Sequence, residues 1–460
     1  MKLQGANKNR DQGTTFLLVS LMITVIMGIT LASYLVMIQT QNRSVFRSQN
    51  WNNAIAVTEA GIEEGLTHLN AVSAVPGDLA TDGWADQGGG VYACPRRYLG
   101  SNYYDLTITV PADGKPLIDS VGTVSLQGPF TFAPQRMFAA AGVTSPEQSL
   151  ARKVEAKTRV DGLLTVVMAA IQQIDFNGKN VATDSFDSTD PAYSTGGLYD
   201  PAKTKDHGDV CTDSTIINSL SVGNARIKGT VRTGPLGTVA IGPNGSVGDK
   251  AWVDGGTTGI EGGHSFDDFN VSFPPVKLPA SATTWLPPTS YSGGPIGDVA
   301  YSYVFTGGDY KMSQINGPIY ITGPTRIYVT DKINLTGNND QIRIASTNKA
   351  SLLLYMGGAT ASIAGQGVVN ESGVAINFQY LGLPSNTSTS FGANTAFVGC
   401  VYCPSAAFSL GGGGNNTFDF VGASVSYTVK MNGHFNFHYD ESLLQTGPGR
   451  GYIVTSWREL

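Results

Sequence analysis

Residues 16–38 read FLLVSLMITVIMGITLASYLVMI, 23 positions without a single charge. At 1.5 Å per residue such a helix spans about 34 Å, against about 30 Å of bilayer hydrocarbon. The apolar core of a secretory signal runs to roughly 7–15 residues. The length therefore predicts a retained membrane span over 16–38, preceded by a short leader over 1–15. Lys2, Lys8 and Arg10 precede the span and Arg43 and Arg47 follow it. This balance of Lys and Arg puts the N-terminus in the cytoplasm and the rest of the chain outside the membrane.

The helix is expected to outlast the bilayer. Residues 39–69 contain no Pro, and their only glycines are Gly61 and Gly65. Ile55, Ile62 and Leu69 recur every seven residues with Leu66 beside them, an apolar stripe on a polar helix. Pro76 is the first helix breaker. One helix over 14–70 would be about 85 Å long, with 39–70 as an amphipathic extension of the span.

Beyond it the composition changes what can fold. Charged residues are 14% of the chain, where about 25% is usual, and 57 of 460 residues are Gly. So much Gly and so little charge exclude helical bundles and coiled coils. At 41% hydrophobic and net charge −6 the chain is too apolar and too weakly charged for disorder. A pI near 5.4 and no basic run exclude nucleic acid as the expected partner. The cysteines Cys94, Cys211, Cys400 and Cys403 are too few for a disulfide scaffold.

The N-terminal pattern has a family likeness. A polar leader ends in Gln12-Gly13; the uncharged span follows; the polar helix then carries Gln49-Asn50-Trp51-Asn52 and Thr58-Glu59-Ala60-Gly61-Ile62-Glu63-Glu64. This resembles the N-terminal region of PilX-like type IV pilus assembly proteins, which are minor-pilin-like. The resemblance covers about residues 10–70. It implies a helix half in the membrane, contact with other pilin-like subunits, and Gly13 as the processing position. In typical type IV pilins the processed Gly is followed by Phe, with Glu at the fifth mature position. Here Thr14 follows Gly13 and the fifth position is Leu18. The departure implies an anchored accessory or tip-priming subunit, not a subunit of the filament shaft.

Three strand-like runs follow, over 103–110, 116–125 and 150–160. In the last, Ala151, Lys153, Glu155, Lys157 and Arg159 alternate with Arg152, Val154, Ala156, Thr158 and Val160, as expected of a strand with one wet face. A small antiparallel sheet behind a long helix is the layout the resemblance implies for 71–170. Residues 171–214 read as a linker with an acidic loop.

From about Thr215 short β-branched runs alternate with Gly/Asn turns. Phe397-Val398-Gly399-Cys400 matches Phe420-Val421-Gly422-Ala423 at an offset of 23, and Phe408 then falls opposite Met431. Turn glycines recur at Gly337, Gly365, Gly412 and Gly433. A period of roughly 22–25 residues without helices predicts a solenoid of stacked β coils, read as a right-handed parallel β-helix. It should occupy 215–445, with a Pro-rich interruption at 274–288 and a C-terminal tail at 446–460. Asp184-Ser185-Phe186-Asp187-Ser188, Val222-Gly223-Asn224-Ala225, Thr233-Gly234-Pro235, Asn432-Gly433-His434-Phe435 and His438-Tyr439-Asp440-Glu441 resemble a β-helical domain that follows PilX-like helices in some bacterial proteins. The expected class is mainly β with one long N-terminal α-helix.

Candidate sites are few. Cys400-Val-Tyr-Cys403 lacks the second pair a zinc site needs, and Ala423 and Ser426 stand at the equivalent repeat positions, so packing or a local disulfide is the expected role. Cys94 and Cys211 are either a disulfide outside the cytoplasm or two unrelated buried thiols. His434, Asn436, His438 and Asp440 alternate with Phe435, Phe437 and Tyr439. The polar set is a weak metal candidate through His434, His438 and Asp440, set against a last coil with aromatics inward and polar groups outward. Asp184, Asp187 and Asp190, with Asp206, Asp209 and Asp213, form an oxygen-rich stretch that calcium favours, although Asp is also common in turns. The Gly411–Gly414 turn precedes no helix and is no phosphate cradle.

No catalytic or cofactor-binding residue is assigned. The expected function is a structural or accessory subunit of a type IV pilus-like or type II secretion-like system. It would be anchored in the cytoplasmic membrane and display its β-helical domain in the periplasm or at the cell surface, for assembly, for adhesion, or for contact with surface polysaccharide or a host or neighbouring cell. The alternatives are a membrane-tethered carbohydrate-active β-helix enzyme and a polymer-forming β-helical scaffold.

Overall fold

The computed structural model describes residues 8–71, 79–80, 83–111, 115–125, 149–176, 181–393, 396–412, 416–432 and 434–460. The expected breaker Pro76 and the turn residues Gly413, Gly414 and Gly433 lie outside that set, as do the side chains of residues 1–14, Gly13 among them. The chain is mainly β with one long N-terminal helix. It divides into two compact units, Met1–Arg159 with Ile453–Leu460, and Val160–Tyr452.

In the first unit helix α1 runs unbroken over Lys8–Ala71. It contains one stretch long and apolar enough to cross a membrane, and that stretch is wholly unburied by protein. From Asn50 onward the helix changes role. Asn50, Ala54, Val57, Thr58, Ile62 and Leu69 are buried, at spacings that return to one face of the helix. The sheet they face is antiparallel, ordered Ala85–Gly88, Val91–Ala93, Asn102–Thr109, Leu117–Ser125, Ser149–Gly162 and Gly449–Glu459. The three central strands fall within two residues of their sequence-read positions, and Val154, Ala156 and Thr158 point inward as the alternation requires.

Two expectations change here. The end of the chain is no tail: Gly449–Glu459 is an edge strand, with the Leu460 amide donating to the Lys153 carbonyl at 3.0 Å. Its partner precedes it by some 300 residues, so nothing local marks it as a strand. The apolar stripe is also only part of the buried face. Ile55 and Leu66 are half-buried, and small residues fill the closest approach.

The second unit is built from parallel rows. In the first row Gly308–Ile315 pairs with Pro324–Leu335, then Ser351–Met356, Phe378–Gly382, the 400–402 segment of Phe397–Gly412 and the 423–426 segment of Phe418–Met431. The row continues into Met168–Phe176, Val210–Thr212, Val231–Arg232 and Ser265–Phe266. A second row runs alongside through Thr360–Ile363, Ser388–Ala393, 407–412, 428–431, 173–176, Leu220–Gly223 and Val239–Ile241. Tyr303–Phe305, Ile319–Ile321, Gln341–Ile344 and Gly367–Asn370 pair in that order as a separate parallel sheet. A third row of the large sheet runs through 418–421, Phe435–Asp440, Ala182–Phe186, Arg226–Lys228 and Ser246–Gly248.

Spatial order is therefore not chain order. The strands of 303–440 come first, and their last members lie directly against the first strands of 168–212. The segment read as linker and acidic loop, 171–214, supplies strands to all three rows, and Met168–Phe176 and Ala182–Phe186 pair with strands about 250 residues further on. The Pro-rich stretch returns the chain to the far end. The Pro274 carbonyl accepts the Tyr402 hydroxyl at 2.7 Å, Trp285 meets Tyr355 edge-on at 6.1 Å, and Leu286 bridges Tyr310.

The interior is a column of apolar side chains. Ile327, Leu352, Leu354, Phe378, Tyr380, Val401, Ala423 and Val425 are fully buried. Phe397 stacks on Phe420 at 4.5 Å, and Phe420 lies 5.1 Å from Phe437. Phe397–Cys400 pairs with Phe420–Ala423 in the register the repeat predicts. Phe408 does not meet Met431: the register shifts after Cys403, Phe408 pairs with Val429 and Leu410 with Met431. Pro404 lies in the shift, and having no N–H it cannot continue the ladder. Spacings between successive coils range from 13 residues (Ser246 to Gly259) to 46 (Ile174 to Leu220), wider than the expected period. Two of the turn glycines approach closely: a Cβ on Gly365, whose φ is +67°, would lie 2.4 Å from the Gly337 carbonyl.

Candidate functional site

The polar face of Phe435–Asp440 is where the two sets of rows meet. Phe435, Phe437 and Tyr439 point inward and are buried, as alternation predicts. His438 and Asp440, expected to face solvent, are 4% and 3% exposed. The correction has a simple cause: the loop between Ala182–Phe186 and Val210–Thr212 folds over this face.

His438 is held from three sides. Its Nδ1 lies 2.6 Å from Asp184 Oδ1 and its Nε2 3.3 Å from Asp419 Oδ1. The Tyr199 ring stacks on the imidazole at 3.7 Å, and the Tyr199 hydroxyl donates to Asp184 Oδ2 at 3.3 Å. Burial alone would lower the imidazole pKa, but the hydrogen bonds it donates to Asp184 and Asp419 outweigh it and the value is raised. The His438 hydrogen bond in turn lowers the Asp419 carboxyl. Burial, then Asp184, raises the Tyr199 hydroxyl, which stays protonated.

A second polar knot adjoins it. Glu441 takes Lys205 as an ion pair, His207 Nδ1 at 2.8 Å and the Ser185 hydroxyl at 2.9 Å. Asp440 Oδ1 accepts the amides of Ser188 and Ser442, each at 3.1 Å. The arrangement is a charge-paired fastening. The Ser188 and Ser442 hydroxyls bond each other at 2.9 Å.

The remaining candidates separate. His434 lies outside the cluster, with its Nδ1 buried and unpaired among the described residues. Asp187 and Asp190 accept hydrogen bonds from residues two positions on, Thr189 and Ala192, as turn-forming Asp does. Only Asp184 of that trio joins the His438 cluster. Among the described residues no three His, Cys, Asp or Glu side chains are grouped to hold a metal ion. All four cysteines are free and buried, so neither Cys94 with Cys211 nor Cys400 with Cys403 forms a disulfide. Burial raises the Cys400 and Cys403 thiols, which makes them inert packing groups.

In the first unit the Thr58–Glu64 motif acquires a physical role. Thr58 Oγ1 donates to the Ala54 carbonyl at 2.7 Å and accepts the Gly122 amide at 3.2 Å. A Cβ on Gly61 would lie 2.2 Å from Ser120 Oγ, so the helix seats directly on the sheet. Glu64 accepts Arg97 Nε at 2.9 Å and the Tyr104 hydroxyl at 2.6 Å. Burial would raise the Glu64 carboxyl, yet Tyr104 and Arg97 hold it below its usual value.

Sequence reasoning missed Tyr199, Asp419, Lys205 and His207, which reach the cluster only through folding. It quoted Glu64 and Glu441 within motifs without assigning them contacts.

A family model described as "Domain of unknown function (DUF7305)" matches residues 305–446. That range begins in Tyr303–Phe305 and ends in the short helix Leu443–Thr446, so it takes in the later strand set up to the seam. No curated protein matches the chain. A structure of the competence-associated pilin ComZ from Thermus thermophilus aligns at 12% identity, covering 88% of this chain and 97% of that one, with a TM-score of 0.23. At that score the alignment carries no weight for fold or function.

Proposed function

We propose that this chain is a membrane-anchored structural subunit of a type IV pilus-like or type II secretion-like system, with a right-handed parallel β-helical body displayed outside the cytoplasmic membrane. The observation that carries the reading is one helix with two jobs. Lys8–Ala71 is apolar and unburied over the membrane-length stretch, then docks through Ala54, Thr58 and Gly61 on an antiparallel sheet. The PilX-like motif falls on that docked turn, which supports a minor-pilin-like accessory role with other pilin-like helices as partners in the membrane. The parallel rows support the β-helical reading of the second unit, whose charge-poor surface suits contact with polysaccharide or a neighbouring cell.

The test is cellular. A tagged chain should fractionate with the cytoplasmic membrane or with sheared pili, its second unit open to protease added outside the cytoplasm. Deleting residues 16–38 should abolish both membrane recovery and pilus-dependent phenotypes. Unchanged pili and localisation after that deletion would sink the reading.

A further inference from the structure

The antiparallel sheet of the first unit has two outer edges, Ala85–Gly88 and Gly449–Glu459, each with one strand partner among the described residues. Edge strands are commonly blunted by Lys, by Pro or by short length. Gly449–Glu459 runs 11 residues without Pro or Lys, and Val454 and Trp457 on it are exposed.

The pairing pattern fixes which backbone groups face outward. The Leu460 amide bonds the Lys153 carbonyl, so the even-numbered residues of Gly449–Glu459 bond Ser149–Gly162. The N–H and C=O of Ile453, Thr455 and Trp457 then point away from the sheet. On the other edge the Cys94 amide bonds Leu106 and the Val110 amide bonds Gly90, which turns Val91 and Ala93 toward Gly88 and Ala85. The N–H and C=O of Asp86 are left facing outward. These two outward sets lie at one level: Asp86 is in register with Tyr92, Ile108, Ile118 and Ala156, and Ala156 lies opposite Trp457. Six strands alternate in direction from edge to edge, so the two edges run oppositely.

The helix decides how copies can meet. It runs along Leu117–Ser125, with Thr58 on Gly122, Gly61 on Ser120 and Gly65 on Ile118. A two-fold axis joining two Gly449–Glu459 edges would stand perpendicular to the sheet and point the two helices in opposite directions. A sideways repeat keeps the helices parallel, as one bilayer requires, and sets Gly449–Glu459 antiparallel to the next Ala85–Gly88.

We propose that copies of this chain join edge to edge in the membrane plane, Gly449–Glu459 of one copy pairing antiparallel with Ala85–Gly88 of a second. The pairing rests on α1 spanning the bilayer, as proposed above. It sets Asp86 opposite Trp457 as a hydrogen-bonded pair, flanked by Ala85 opposite Arg458 and Gly88 opposite Ser456. The ladder is short, and tethering in the membrane supplies the effective concentration it needs. A head-to-tail contact of this kind builds open rows, not closed dimers.

Disulfide trapping on the full chain in native membranes tests this. All four native cysteines are buried, whereas Ala85 and Arg458 are exposed. Residues opposite each other across a ladder lie within disulfide reach. Ala85→Cys with Arg458→Cys in one chain should give dimers, trimers and higher species on oxidation. Each single variant should stay monomeric, and the two singles expressed together should stop at dimers. Trp457→Pro in the double-cysteine chain removes an outward N–H and no bond to Ser149–Gly162, and should cut the crosslinked fraction several-fold. A double-cysteine chain recovered with the membrane yet monomeric overturns the pairing alone. So does Arg458→Cys that crosslinks by itself as far as the double variant, or a ladder indifferent to Trp457→Pro. Loss of the chain from the membrane fraction overturns both the pairing and the reading of α1 as an anchor.

Discussion

Single side chains decide both seats of this molecule. Gly61 lies where an added Cβ would meet Ser120 Oγ at 2.2 Å, so Gly61→Val should lower the stability of the first unit by about 1–3 kcal/mol through overpacking. Thermal melting in detergent, followed by near-ultraviolet circular dichroism, measures it. An unchanged midpoint would mean that the helix does not seat as described. In the second unit Asn386 is fully buried and satisfied on both ends. Its amide donates to the Gly358 and Ala359 carbonyls, and its oxygen accepts Tyr380 at 3.0 Å and Thr389 at 2.9 Å. Asn386→Ala leaves two carbonyls without this donor and should cost about 1–3 kcal/mol in urea unfolding. Thr389→Ser keeps the hydroxyl and should cost less.

At the scale of elements, the return segment over 270–286 is more than a connection. Trp285 is buried against Tyr355, with the Arg326 guanidinium 5.1 Å from its ring. Trp285→Ala should destabilise the second unit by about 3–5 kcal/mol, and a loss under 1 kcal/mol would show the segment to be merely tethered. The edge strand makes a separate prediction. Arg152 pairs with Glu459 and the Leu460 amide bonds Lys153. Removing residues 453–460 should lower the first unit's melting temperature and leave the second unit's unfolding unchanged.

At the scale of the molecule, the second unit is an insertion. The chain enters it at Val160 and leaves it at Tyr452, with the first unit built from both flanks. Its core is closed by its own strand rows, so residues 160–452 expressed alone should unfold cooperatively in urea with the wild-type midpoint for that unit. Failure of this piece to fold would show that its stability depends on the flanking strands.

Legibility followed the range of the interactions. The apolar stretch over 16–38, the helix behind it and the three central strands of the antiparallel sheet were readable, because period and length are local properties. The register of Phe397–Cys400 on Phe420–Ala423 was readable because the repeat is short and aromatic. Phe408 was misplaced because the ladder shifts register between Cys403 and Ala407, and a repeat count assumes one constant register.

By itself, then, the sequence determined where the chain turns helical, which half is built of short strands, and which residues of Phe435, Phe437 and Tyr439 face inward. Only the tertiary structure decided that the late strands precede the early ones in space, that 449–459 is a strand, and that His438 is buried between Asp184 and Asp419. Each of these depends on contacts across some 250 to 300 residues. Local propensity is indifferent to such partners, and burial of the shared core selects them.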